Sequence, residues 1–309
     1  SMWGGVPLLT TVPKSPAAFQ PRASVDAVYT QIIQDLTEAA AVLPGKSATD
    51  KGRATAAAAN AMLGRVLMQK GDYTSAKAAF LKIPTTGPDG YSLTDRYLDN
   101  FELATEFNQE SIFEVVFVDK GDNSYNWGGE SATESQATVR NQEYCPVAWR
   151  NLIPSDKYLN EFESTATGAA KTDPRFSYSV YQTGDKYNNG QSVLTDADQN
   201  GNSSVLHGVT KKISWRKFML IYQESASTAG FHPGGNNQRI IRYSEILLDL
   251  AECANELGDI PGAVAYLNKV RARPDVAMPP YPTAQFPVAT KDDVVKAIMH
   301  EKMVELGDE

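Results

Sequence analysis

The 309-residue chain is 42% hydrophobic and 21% charged, enough apolar side chain for a real core, which argues against disorder. Its 37 acidic residues exceed 29 basic ones for a formal charge of −8, and without a basic block the phosphate-neutralising footprint of a nucleic-acid binder is missing. No apolar run approaches the roughly 18 residues of a membrane-spanning helix, and two cysteines, Cys145 and Cys253, make neither a disulfide framework nor a zinc site and leave the redox compartment open.

The Ser1-Met2 start reads as the scar of a cleaved tag, so the lack of a leader or lipid-bearing cysteine says nothing about targeting. Ser24 is placed to cap an amphipathic helix through Val28, Ile32, Leu36, Ala39 and Leu43, ended by Pro44-Gly45. An alanine-rich helix over 55–70, with Leu63, Val66 and Leu67, stops at Gly71-Asp72. A third helix then runs through Ala76, Ala79, Phe80 and Ile83 to Pro84. Residues 111–118 (SIFEVVFV) are β-branched and aromatic and read as a buried strand. Two long polar stretches follow, 119–151 and 183–204; the first embeds Tyr125, Trp127, Tyr144 and Trp149, which argues for function rather than disorder.

Residues 242–257 form another apolar helix, followed by Gly258-Asp259 and a shorter helix through Ala263, Tyr266, Leu267 and Val270. A shift of 187 residues superposes Gly71 on Gly258, Asp72 on Asp259, Ala76 on Ala263 and Phe80 on Leu267, so both segments read as one tetratricopeptide-type hairpin design. Two copies are too few for a stable solenoid, and other elements must cover the ends. A last helix is expected after Thr290, with Asp293 at the capping-box position and Val294, Val295, Ile298, Met299 and Val304 as its apolar members.

Nine short motifs occur in a fixed order: WGGVPLLT (3–10), GRAT (52–55), KGDY (70–73), ESIFEV (110–115), TDPRF (172–176), RKF (216–218), RYSEILLDLAEC (242–253), LNKVRAR (267–273) and HEKMVEL (300–306). In that order they resemble the SusD/RagB family of outer-membrane nutrient-binding lipoproteins. Lys302 stands where the family more often has Arg, Cys253 replaces a usual Ala, and Asp249 occupies a usually apolar place. The resemblance implies a mainly α, tetratricopeptide-like scaffold with a loop-rich insertion carrying short strands. Within a single domain over 1–309, the helices would span 24–83 and 239–306 and the insertion 84–238. It further implies a lipidated N-terminal cysteine and a place on the outer membrane over a SusC-like TonB-dependent transporter. Capture of glycans, or in some members peptides, follows without catalysis or a cofactor. The family's leader, first helices and closing segment have no counterpart here, so the chain reads as a fragment.

Sugar rings offer C–H faces to aromatic planes, while their hydroxyls need polar partners, and loops on a rigid scaffold gather both. Trp127, flanked by Tyr125, Asn126 and two glycines, is the first candidate platform. Trp149, beside Arg150 and Asn151, and Tyr144 come next, then Tyr187 with Asn188 and Asn189. The competing reading is that these rings pin the loops to the scaffold. Asp196, Asp198 and Asn200 with Gly201 match the first half of a calcium loop, but His207 stands where the closing Glu belongs, so an Asx-rich turn is the better reading. Glu245, Asp249, Glu252 and Glu256 form an acidic stripe on one helix face, expected to pair with Arg271 or Arg273 rather than act as acid and base. His207, His232 and His300 have no zinc or triad spacing, and Cys253 reads as a buried thiol. A helical glycoside hydrolase is the alternative from another class; peptide capture is the nearer one.

Overall fold

A Gly-Asp turn closes each predicted helical hairpin, and both turns have the same geometry. Gly71 and Gly258 sit at φ 78° and 82°, where a side chain would meet no neighbour but the backbone conformation itself disfavours one. The following Asp72 and Asp259 cap the next helix, accepting from the N–H groups of Ser75 at 3.0 Å and Gly262 at 2.9 Å. The computed structural model describes residues 3–15, 18–119, 136–168, 170–201, 205–206, 209–226 and 234–309. They fall in two compact units, Ser1–Gly90 and Tyr91–Glu309; position 84 follows a helix of the first, and 239 lies inside the strand Gln238–Arg242 of the second.

In the first unit, α1 (Val25–Val42) begins at Ser24, whose Oγ accepts from the Ala27 N–H. Of its apolar stripe only Val28 is fully buried, while Ile32, Leu36, Ala39 and Leu43 are half-buried. Thr55 caps α2 (Ala56–Gln69), which packs closely on α3 (Tyr73–Phe80): a Cβ added at Gly64 would lie 2.4 Å from the Phe80 ring. Small residues thus set the interhelical distance and the large Phe80 fills the groove.

In the second unit, β1 (Ser111–Val115) pairs antiparallel with a later strand, β8 (Gln238–Arg242), with Glu114 opposite Arg239 and Val115 opposite Gln238. Strand pairing ends earlier than the apolar run suggests. Val116 and Val118 are exposed, and the Phe117 N–H turns to the Asn237 side chain instead of a ladder partner. Between these strands lie α4 (Arg140–Tyr144), α5 (Asp156–Glu161) and α6 (Arg175–Ser179), then β2 (Val180–Gln182), β3 (Lys186–Tyr187), β4 (Ser192–Val193), β5 (Val205–Leu206), β6 (Val209–Thr210) and β7 (Ile213–Trp215). They pair as three further two-stranded ribbons, β2 with β7, β3 with β4 and β5 with β6. The closing helices are α7 (Tyr243–Glu256), α8 (Ile260–Arg271) and α9 (Lys291–Leu306), the last opened by the full Thr290–Asp293 capping box. Leu247, Ala251 and Ala254 of α7, Ala263 and Leu267 of α8, and Val294, Ala297 and Ile298 of α9 make their common core.

Beside that core lies a network of buried charges. Glu301 and Glu305, one helical turn apart on α9, are fully buried. Arg175 reaches both at 2.8 and 3.2 Å and also holds Asp173. Arg271 bridges Glu301 and Glu163, each at 2.7 Å. Arg273 and Arg242 each join Glu305 to Glu110, at 2.7–2.9 Å. Lys217 and Arg242 bind the Glu309 carboxylate, and the Glu305 carbonyl accepts from Tyr97, Lys217 and Arg242. Burial alone would raise the Glu305 pKa, but Arg242, Arg273 and Arg175 bring it down to about 2.

The acidic stripe of α7 finds its cations elsewhere than expected. Lys302 of α9 lies 2.8 Å from Asp249 and 2.6 Å from Glu252, and Lys291 lies 2.7 Å from Glu256. Arg271 and Arg273 are committed to Glu301, Glu163, Glu110 and Glu305, because a planar guanidinium spans two carboxylates in a dry site, whereas a lysine stem reaches from the surface to the buried Asp249 and the half-exposed Glu252. Cys253 is fully buried.

His300, on the same helix, has a buried ring whose Nδ1 lies 2.9 Å from Glu161 and whose Nε2 lies 3.6 Å from Glu163. Burial lowers its pKa and Arg175 opposes its charge, but Glu163, Glu301 and Glu161 outweigh both and raise it.

Glu305→Gln leaves Arg242 and Arg273 short of a buried carboxylate and is expected to cost about 3–5 kcal/mol in urea unfolding. Lys291→Ala, at a half-exposed pair, should cost under about 1 kcal/mol. For His300 the raised native pKa means its contribution is full below about pH 6.5 and is lost as pH climbs through the native value. The stability gap between the parent chain and His300→Gln, followed by urea midpoints across pH, should therefore narrow from acid to alkali; a gap that widens would reverse this sign.

Candidate functional site

The loop after α4 is built outward from the core. Cys145 is fully buried, and burial pushes its thiol well above the ordinary range, so it serves as packing rather than as a nucleophile. Tyr144, Val147 and Ala148 lie against the cluster formed by Cys145, Tyr187, Leu194 and Phe218. Tyr144 is half-buried, with the Arg140 guanidinium 5.8 Å above its ring. Trp149 follows, also half-buried, and its backbone N–H donates to the Gln142 carbonyl at 3.1 Å. Asn151 is exposed beside it, its backbone N–H on the Glu143 carbonyl at 2.8 Å and its side-chain amide on the Glu143 carboxylate.

Arg150 fixes this loop. Its backbone is left-handed, φ 52°, which turns its side chain inward while Trp149 stays at the rim. The guanidinium is fully buried and donates to Ser214 Oγ at 2.9 Å, the Gln199 carbonyl at 2.7 Å and the Lys211 and Ile213 carbonyls at 3.0 Å. Desolvation lowers its pKa with no carboxylate beside it. Four neutral acceptors thus clamp the loop to β7 and to the 196–201 turn. Gly201 completes the seat: a Cβ there would lie 2.3 Å from the Trp149 carbonyl.

The 196–201 turn is an Asx-type turn around an ammonium. Asp198 accepts from the Thr195 N–H and hydroxyl at 2.7 and 2.6 Å, and Asp196 from Thr183 at 2.5 Å. Lys212 Nζ donates to the Asp196 and Gln199 carbonyls and to Asn200 Oδ1, at 2.9, 3.1 and 2.7 Å, so that one of the side-chain oxygens of the expected cation loop is held by an ammonium and the two carboxylates by threonines. Among the described residues no group of three or more His, Cys, Asp or Glu is arranged to hold a metal.

Of the residues singled out in the sequence, Trp149 and Tyr144 therefore share one anchored loop. Tyr187 is part of the core at 7% exposure, because Asn188 and Asn189, both left-handed, hang the β3–β4 hairpin on the Ile221 and Tyr222 carbonyls and turn its ring inward. Tyr125, Asn126 and Trp127 lie outside the described residues. The anchoring role of Arg150 was missed; an Arg directly after a loop Trp was its only trace.

Comparison with known proteins places this geometry. A family model described as the SusD family matches residues 109–309, and one described as "Starch-binding associating with outer membrane" matches residues 1–68. SusD-like protein P25 of Formosa agariphila is 24% identical over 285 residues, covering 88% of this chain and 52% of its own length. The chain thus spans about half the length of that curated relative. A SusD superfamily protein from Bacteroides vulgatus is 25% identical with a TM-score of 0.73, over 98% of this chain and 60% of its own. Surface glycan-binding protein A from Bacteroides thetaiotaomicron in complex with laminarihexaose is 22% identical with a TM-score of 0.63, over 92% and 60%. The tetratricopeptide-like helical fold is common to them.

Arg150→Met removes the donors of four buried acceptors and should cost about 3 kcal/mol. Hydrogen exchange should rise at 145–151, 199–201 and 209–214 and stay unchanged in α7 and α8; uniform change across the unit would show a general packing defect instead.

Proposed function

Because the chain belongs to the SusD family, we propose that it captures glycans at the cell surface, using the loop that carries Trp149 as a stacking platform. The observation that carries this is the pairing of a partly exposed indole with a backbone held from beneath by Arg150. A platform that does not have to be ordered on binding loses less free energy to entropy. Asn151 and Glu143 supply an amide and a carboxylate beside the ring, the polar groups that sugar hydroxyls need. The relative from Bacteroides thetaiotaomicron that holds laminarihexaose supports a glycan as the ligand class.

Transfer to a SusC-like TonB-dependent transporter and residence on the outer membrane belong to the same proposal. They are supported by the "associating with outer membrane" description of the second matching family. No helix among the described residues is long and apolar enough to cross a membrane. Attachment through an N-terminal lipid is part of the proposal because the family resemblance implies it. Binding without turnover is the proposed activity. Tyr125, Asn126 and Trp127 remain candidates for a second part of the same platform, and Tyr144 for a supporting one.

Native gels cast with a panel of neutral and charged polysaccharides test the reading. The parent chain should be retarded by at least one polymer, and Trp149→Ala should weaken that binding about tenfold, equivalent to about 1.4 kcal/mol. Undiminished retardation would remove Trp149 from the site, and the same comparison with Trp127→Ala decides its part. Release of shorter sugars would turn the assignment toward a glycoside hydrolase.

A further inference from the structure

The sequence contains two Asn-Gly pairs, Asn189-Gly190 and Asn200-Gly201, both with an exposed asparagine, and their surroundings differ at the glycine nitrogen and at the asparagine side-chain carbonyl, the two groups that meet in one reaction. In that reaction the backbone nitrogen of the glycine loses its proton and attacks the asparagine Cγ. The new N–C bond closes a five-membered imide as the C–NH2 bond breaks, and ammonia leaves after taking up a proton from solvent. Water then opens the ring at either carbonyl, giving aspartate or isoaspartate, with no change of oxidation state. Glycine favours ring closure because no Cβ obstructs the attacking nitrogen.

At the first pair the nucleophile is occupied. The Gly190 N–H donates to the Tyr187 carbonyl at 3.0 Å, and Asn189 is pinned through its own N–H to Tyr222 at 2.8 Å and its amide to Gln223 at 3.2 Å. At the second pair, the Gly201 N–H donates to no partner among the described residues, and Asn200 is exposed. Lys212 Nζ lies 2.7 Å from Asn200 Oδ1, where it polarises the carbonyl and stabilises the oxyanion that forms as Gly201 attacks. The leaving amine is held apart from that oxygen by its bond to the Ala197 carbonyl at 2.6 Å.

We propose that Asn200-Gly201 is a self-modification site, at which the chain converts Asn200 to aspartate and isoaspartate with Lys212 as the polarising cation. The product places a new carboxylate beside Asp196 and Asp198. Its isoaspartyl form inserts a methylene into the main chain directly before Gly201, whose Cα faces the Trp149 carbonyl. The chemistry stands apart from the glycan reading; only its effect on the Trp149 platform rests on that reading.

The test is to hold the whole chain at mildly alkaline pH and physiological temperature and to sample it over days. Cleavage before aspartates separates the two pairs at Asp196 and Asp198, and mass spectrometry with isoaspartyl methyltransferase labelling reads each. Conversion at 200 should run about tenfold faster than at 189, equivalent to about 1.4 kcal/mol at the barrier. Asn200→Gln should abolish the faster signal, and Lys212→Met should slow it. Equal rates at both pairs, or label gathered at 189, would overturn the assignment. A Lys212→Met rate equal to that of the parent would remove the cation from it.

Discussion

The second unit is organised by one constraint: Glu301 and Glu305 are fully buried on α9 and each must be neutralised by cations from distant parts of the chain. An unpaired buried carboxylate would cost several kcal/mol, so the helix can dock only where Arg175, Arg271, Arg273 and Arg242 converge. That convergence accounts for six of the nine motifs. ESIFEV supplies Glu110, TDPRF supplies Asp173 and Arg175, RKF supplies Lys217, RYSEILLDLAEC supplies Arg242, LNKVRAR supplies Arg271 and Arg273, and HEKMVEL supplies both glutamates. Each of these six is weak by itself because it contributes one or two charges to a network that exists only in the folded chain.

Much of the fold was readable because its signals are local. Ser24, Thr55, Asp72, Asp259 and Thr290 cap the helices they precede, and the Gly-Asp repeat marks two hairpins of one geometry. What could not be read was pairing at long range. The α7 stripe needed cations, and both Arg271 and Lys302 were in reach of a plausible packing; the choice depends on which face is dry, which is a property of the assembled core. The strand from Ser111 ends early for the same kind of reason, since its apolar run continues past the point where β8 can pair with it.

The candidate site divides along the same line. Composition located the aromatic loops, because Trp149 and Tyr144 stand among residues that cannot make a core of their own. It could not separate a ring at the rim from one beneath it: Tyr187 was grouped with them, yet two left-handed asparagines carry it into the core. Arg150 shows the converse. Its neighbours in sequence are surface-like, but its acceptors lie on residues 199, 211, 213 and 214, none of which could be assigned to it before the fold was known.

The network fixes the register of α9 together with its hydrophobic packing. A slip of one turn would put Glu301 and Lys302 where Ala297 and Ile298 pack, so the apolar face resists it as well. The charges add to this. A slip that carried Glu305 to the place of Glu301 would satisfy Arg271 and Arg175 and leave Arg242 and Arg273 without a carboxylate from the helix. A rotation by a single residue, about 100° for a helix of 3.6 residues per turn, would withdraw both glutamates at once. Small residues let the helices approach in many arrangements, and the buried charges leave one of them neutral.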